Sequence, residues 1–310
     1  MRVLAVLFSI TILASVSSVA SPDGTMRFYS EGSGATVLIE EHTATYCQTC
    51  AQIDPVVINF LEENGNRAVR VALHPPADEL LGTGISTHRL SLSGENLSVT
   101  PTFVMDGNLV SQGYVDRTDL QLNLRSAELE KSGIHSFGVE AIVSNNTIRL
   151  STSDLELVGS QVLTVFVVES IVVHDPGASM NGLDQNRDVA RAMISVDGED
   201  NLLAEFLPVN WEAVYPDSND HSVEFHLGSD EDPLSFDLVI SLERRDEGSN
   251  TVLSSAIVRL SGTGGNSSGI SPLLIVGCLG VASTAAFLAQ SRKRGNQRNA
   301  SQHPWNPSSA

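Results

Sequence analysis

The chain is 310 residues long, 41% hydrophobic, and carries 37 Asp and Glu against 18 Lys and Arg, a formal net charge of −19. That composition excludes global disorder, and the acidic balance argues against nucleic acid or an anionic membrane surface as a partner. Three cysteines are too few for a disulfide-stapled scaffold, so a pair among them reads as local, either redox-active or a short clip.

Met1-Arg2, the apolar stretch Val3 to Val16 and the small residues Ser18-Val19-Ala20 form the pattern of a secretory signal cut after Ala20. Ser21 to Gly34 reads as a polar lead-in with a short strand around Met26 to Tyr29. The apolar run Val37 to Ile39 predicts a buried strand, which leads through Glu40, Glu41 and His42 to Tyr46 and then Cys47-Gln48-Thr49-Cys50. A helix follows over roughly Cys47 to Glu63, with Ile53, Val56, Val57, Phe60 and Leu61 along one side, Pro55 inside it and Asn64-Gly65 as its stop. The first cysteine therefore opens a helix, where unpaired N–H groups and the helix dipole favour a thiolate. The second stands one turn further on, within reach of a disulfide.

Arg67 to Leu73 alternates and predicts the next strand, ended by His74-Pro75-Pro76. Residues 77–97 read as a loop with a helix. A strand begins after Thr100-Pro101 and turns at Asp106-Gly107 into a hairpin partner that reaches Tyr114. Asp116 to Lys131 predicts a helix closed by Ser132-Gly133. From Phe137 to Ser261 short alternating stretches separated by turn residues predict an all-β sandwich, with Asp188 to Ile194 as a helix or inserted loop. Residues 262–269 are a Gly/Ser-rich linker. Ile270 to Ala289 is an uncharged run long enough to span a bilayer, and Arg292-Lys293-Arg294 supplies a positive-inside stop. The expected organisation is a signal peptide (1–20), an α/β unit (21–134), a β-sandwich (135–261), the linker, a transmembrane helix (270–289) and a basic tail (290–310). The expected address is a single-pass type I membrane protein with its body extracytoplasmic and its C-terminus cytoplasmic.

The order strand, Cys-X-X-Cys helix, strand, connection, Thr-Pro strand, hairpin strand, helix resembles the thioredoxin-like superfamily over about residues 24–133. Cys47 and Cys50 match its redox pair, Pro55 the proline of its active-site helix, Pro101 its cis-proline, and Glu41 its buried carboxylate, usually an Asp. Tyr46 stands where the family has Trp, and Gln48-Thr49 where it has Gly-Pro, which leaves the direction of electron flow open. The approach to the cysteines, with Val167-Val168-Glu169 and Asn186 to Arg191, is also similar to bacterial thioredoxin-fold outer-membrane proteins with an added β domain. The resemblance implies an α/β thioredoxin-like domain ahead of the Ig-like sandwich, and thiol–disulfide exchange without a cofactor. Cys47 is then the nucleophile, Cys50 resolves the mixed disulfide, and Glu41 exchanges a proton with Cys50. Thr100, Pro101 and Tyr46 shape a groove for cysteine-containing exported proteins or a redox partner.

Several alternatives stand beside this. Glu40 competes with Glu41, because neighbours on a strand point to opposite faces and a one-residue bulge would swap them. Zinc needs four ligands, and no second cysteine pair joins Cys47, Cys50 and His42. The acidic stretches Asp175 to Asp188 and Asp217 to Asp232 lack a calcium-loop pattern. Asn96, Asn145 and Asn266 head Asn-x-Ser/Thr sequons. The competing function is a non-enzymatic surface binding or scaffold protein with a structural Cys47–Cys50 disulfide.

Overall fold

The computed structural model describes residues 19–20, 25–31, 36–76, 79–92, 99–131, 136–215 and 221–261. In chain order these form β1 (Val19–Ala20), β2 (Met26–Glu31), β3 (Val37–His42), α1 (Gln48–Asn64), β4 (Ala68–Leu73) and α2 (Gly84–Leu92). Next come β5 (Thr102–Met105), β6 (Asn108–Gln112), α3 (Arg117–Glu130), β7 (Gly138–Ser144), β8 (Thr147–Ser153) and β9 (Gln161–Val173). The last are β10 (Gln185–Asp197), β11 (Leu202–Phe206), β12 (Glu212–Val214), β13 (Val223–His226), β14 (Phe236–Asp246) and β15 (Ser249–Arg259). One six-stranded sheet runs β1-β2-β7-β8-β13-β12. A nine-stranded sheet runs β15-β14-β9-β10-β4-β3-β5-β6, with β11 added on β10.

The side-chain pattern of β3 explains the layering. All six of its residues are buried, as in a strand covered on both faces. Val37 and Ile39 meet Ile53, Val57 and Phe60 of α1 and Leu120 and Leu124 of α3. Leu38, on the opposite face, joins Val69, Val71 and Leu73 of β4 in a cluster with Phe166, Val168, Met193, Val239 and Val252. Those last residues belong to β9, β10, β14 and β15 of the same sheet, so the sheet curls over on itself. Ser255 donates to Thr36 O at 3.0 Å and Val252 N to Asp106 O at 3.2 Å where the two ends approach. The outer face of β9 and β14 carries Leu163, Val165, Val167, Leu238 and Ile240 against Val139, Ala141, Ile148, Leu150 and Phe225 of the six-stranded sheet. The layers are helices, a curled sheet, and a second sheet.

This corrects the expected fold class. Strand dominates, and among the described residues there are three α-helices. The expected α/β thioredoxin-like domain followed by a separate sandwich does not stand, because one sheet takes β3–β6 together with β9, β10, β14 and β15. The joint is the outer edge of β4, which pairs in parallel with β10 through Ala72 and Val189. Alternation in a sequence marks faces, not which edges meet. Asp188 to Ile194 is neither helix nor inserted loop but the middle of β10. Its alternation is broken by Asp188 at φ 55 and by a register shift between Ala190 and Ala192.

The single-pass membrane topology is corrected as well. No helix among the described residues is long and apolar enough to cross a membrane. The run 270–289 lies outside the described residues, as do the Gly/Ser-rich linker, the basic tail, and residues 1–18 of the expected signal. Val19 and Ala20 pair with Arg27 and Met26.

Candidate functional site

Cys47 and Cys50 form a disulfide, with an S–S distance of 2.19 Å and Cα atoms 5.2 Å apart. Cys47 is the N-cap of α1, and its Sγ accepts the Cys50 N–H at 3.0 Å. A cap residue stands in extended geometry just before the helix, so its side chain faces the unpaired N–H groups of the first turn. The pair is nearly enclosed, with Cys47 9% and Cys50 1% exposed. Cys47 Sγ lies 3.5 Å from the carbonyl oxygen of Thr100, which is joined to Pro101 by a cis peptide bond. Pro101 is buried, and its carbonyl accepts Gly113 N at 2.8 Å. Tyr46, 39% exposed, stands beside the pair. Pro55 is exposed on α1, eight residues past Cys47.

Glu41 and Glu40 are both buried and divide between the faces of β3. Glu41 shares the α1 side with Val37 and Ile39. Its Oε2 accepts Arg70 Nη1 at 3.0 Å, and its Oε1 is buried without a hydrogen-bond partner. The same guanidinium donates to Asp54 Oδ1 of α1, Asp188 Oδ2 of β10 and Arg187 O, each at 3.0 Å. Burial pushes the Glu41 carboxyl up to about 7; Arg70 pulls it down, while Asp54 and Asp188 add to the rise. Burial works against the Arg70 charge, but Asp188, Glu41 and Asp54 outweigh it and hold it above its ordinary value.

Glu40 points into the curl of the sheet. It accepts Arg89 Nε at 2.5 Å, and Arg89 Nη1 reaches both oxygens of Glu243 at 2.9 and 3.0 Å. His42 lies on that side too, 3.2 Å from Ser86 Oγ, with its pKa lowered to about 3 by burial and then by Arg89. Its position is across β3 from Glu41, on the face away from α1.

The turn between β9 and β10 closes over the cysteine loop. Buried Asn181 donates its backbone N–H to Thr45 O at 2.7 Å, and its Nδ2 to Ala44 O at 3.2 Å and Cys47 O at 3.3 Å. Gln48 Nε2 donates to Met180 O at 3.0 Å. From the other side, Glu79 accepts Thr45 N at 2.8 Å and lies 3.1 Å from His74 Nδ1.

Of the three sequon asparagines, Asn145 is exposed at the β7–β8 turn with φ 50; Asn96 and Asn266 lie outside the described residues. Sequence reasoning missed Arg70, Asp54, Asp188, Ser179 and Asn181. Arg70 had a signal, a charge between Val69 and Val71 in a strand with apolar residues on both faces. Asn181 had none, since an Asn in a turn rich in Gly and Ser reads as turn chemistry.

No protein-family model matches the chain, and no curated protein matches it. Among solved structures, protein AGR_C_4864 from Agrobacterium tumefaciens is similar, at 12% identity and a TM-score of 0.48, over 74% of this chain and 95% of that one.

Proposed function

We propose that this chain is a thiol–disulfide oxidoreductase that works through Cys47 and Cys50 on cysteine-containing proteins. The observation that carries the reading is the place of the disulfide: Cys47 caps α1, takes the Cys50 N–H, and faces the Thr100 carbonyl before Pro101. The likeness of Cys47, Cys50, Pro55, Pro101 and Glu41 to the thioredoxin-like landmarks supports it at the level of the site. A thiolate at that cap is favoured by the helix N–H groups, which lowers its pKa from the ordinary ~8.5. In reduction, the Cys47 thiolate attacks one sulfur of the partner's disulfide, and the other sulfur leaves as a thiolate. Cys50, losing its proton, attacks Cys47 of the mixed disulfide and releases the partner's second thiolate. The partner gains two electrons and the pair loses two. Glu41, poised at about pH 7 on the α1 side of β3, is the group assigned to take the Cys50 proton.

The test is insulin-disulfide reduction and oxidative refolding of a reduced client, with wild type and Cys47→Ser. Turnover in wild type that is lost in Cys47→Ser is expected. No turnover in either direction, with a pair that glutathione buffers leave oxidised, would sink the reading. The near-enclosure of both sulfurs favours a second reading, a structural clip in a binding or scaffold protein. In that case Cys47→Ser lowers the melting temperature and changes no exchange rate.

A further inference from the structure

The exchange reading takes its groups from β3, α1 and the Thr100–Pro101 segment. A separate part of the chain, the turn between β9 and β10, contributes one more. We propose that Asn181 is a positioning residue of the Cys47–Cys50 pair, which keeps Cys47 in its helix-cap geometry once the disulfide is open; this rests on the exchange reading.

In the oxidised chain the S–S bond itself ties Cys47 Sγ to the helix start. Reduction removes that bond. What then keeps the sulfur toward the Cys50 N–H is the backbone of residues 44–47, with Cys47 at φ −89 and ψ 110. Asn181 alone supplies three hydrogen bonds to that backbone, at Ala44 O, Thr45 O and Cys47 O. Its own orientation is fixed by a second set of partners. Oδ1 accepts Ser179 Oγ at 2.6 Å and Leu183 N at 3.1 Å, so the amide has its acceptor facing two donors and its Nδ2 facing two carbonyls. Both Ser179 and Asn181 are buried, where water does not replace a lost bond.

The effect of losing Asn181 therefore falls on the reduced state. A loosened cap raises the free energy of the Cys47 thiolate, moves its pKa back toward the free value, and makes the disulfide harder to reduce. A merely structural role behaves differently: it destabilises the oxidised and reduced chains alike and leaves the equilibrium between them unchanged.

The experiment equilibrates the full chain, wild type and Asn181→Ala, with glutathione. Two glutathione thiols become one glutathione disulfide, and the Cys47–Cys50 disulfide takes their two electrons and two protons to become a dithiol. The expected result is a shift of about tenfold toward the protein disulfide, the worth of a buried hydrogen bond or two. In a Cys50→Ala background, the inflection of Cys47 alkylation by iodoacetamide is expected at higher pH in Asn181→Ala. A folded Asn181→Ala with unchanged equilibrium and unchanged inflection overturns the proposal. If that variant does not fold, Ser179→Ala keeps Asn181 and removes the hydroxyl that donates to Oδ1 at 2.6 Å and also reaches Thr45 O at 3.4 Å. A smaller shift in the same direction is expected there, and no shift overturns the proposal. Insulin reduction by wild type is measured alongside. Its absence counts against the exchange reading, whereas an unmoved equilibrium in an insulin-active chain counts against Asn181.

Discussion

Glu41 shows how a single buried group ties the site to the stability of the fold. Its folded pKa of about 7 stands above the ordinary 4.5, so the native chain holds a proton that the unfolded chain has released between those values. Stability from this group is present below about pH 4.5 and is lost as pH rises through 7. Asp106, pushed up to about 6 by burial against the pull of Lys131, acts in the same direction, so wild type alone cannot isolate Glu41. The difference from Glu41→Gln can. Between pH 4.5 and 7.5 the variant should gain about 3 kcal/mol relative to wild type in urea unfolding. Parallel curves would show that Glu41 ionises freely. Arg70 offers a second check, because it is the cation that pairs with all three of Glu41, Asp54 and Asp188. Arg70→Leu leaves buried carboxylates without it and should cost about 3–5 kcal/mol at pH 7, with a smaller cost at pH 5, where Glu41 is protonated. A cost under 1 kcal/mol by the same titration would mean that water enters the cluster. The division of Glu40 and Glu41 between the two faces of β3 was legible from strand alternation. The counter-ion of Glu41 was not, because Arg70 lies 29 residues further on and Asp188 comes from β10.

Turns carry more than the sequence announces. Asp106-Gly107 reads as a hairpin signal, and it does link β5 to β6. The same turn also fastens three other elements. Asp106 Oδ1 accepts Leu38 N of β3 at 2.9 Å, Oδ2 lies 3.1 Å from Lys131 Nζ after α3, and its carbonyl takes Val252 N of β15. Gly107 sits at φ 88, and a Cβ built there would stand 1.8 Å from Asn250 O of β15. Gly107→Ala therefore meets both a left-handed backbone and a rigid carbonyl, and should cost more than about 2 kcal/mol. Denaturant unfolding measures it, and a loss below about 0.5 kcal/mol would mean that β15 moves aside without penalty. The turn itself was legible, since Asp-Gly between apolar runs has a local mechanism. Its approach to β15 was not, since Asn250 is 143 positions away and nothing local encodes it. The β9–β10 turn is the same case: its glycines predict a turn, and only the fold brings Asn181 to the cysteine loop.

At the scale of the molecule, the decisive feature is that the cysteine-bearing segment does not cover its own sheet. On the α1 side it does, through Ile53, Phe60, Leu120 and Leu124. On the other side Leu38, Val69, Val71 and Leu73 have only Ile85 of α2 from their own segment, and the rest of their cover is Phe166, Val168, Met193, Val239 and Val252, all supplied after residue 160. The charges follow the same division: Arg89 needs Glu243, and Arg70 needs Asp188. Sequence periodicity located most strands of both halves, though not β10, β11 or β12, and it treated two interlocked pieces as successive ones. The reason is physical: Leu38 and Phe166 each look like the core of their own neighbourhood. A fragment of residues 21–134 tests this directly. Uncovering four aliphatic side chains forfeits about 1.5–3 kcal/mol each, which together matches a typical net stability of about 5–15 kcal/mol. Two buried arginines would also lose carboxylate partners. The fragment should therefore show no cooperative thermal transition by circular dichroism, whereas residues 19–261 should melt in one. A cooperative melt of 21–134 near the temperature of the longer chain would mean that the helix-covered face alone sustains the fold, and that the later strands are an addition to a cysteine-bearing core that stands without them.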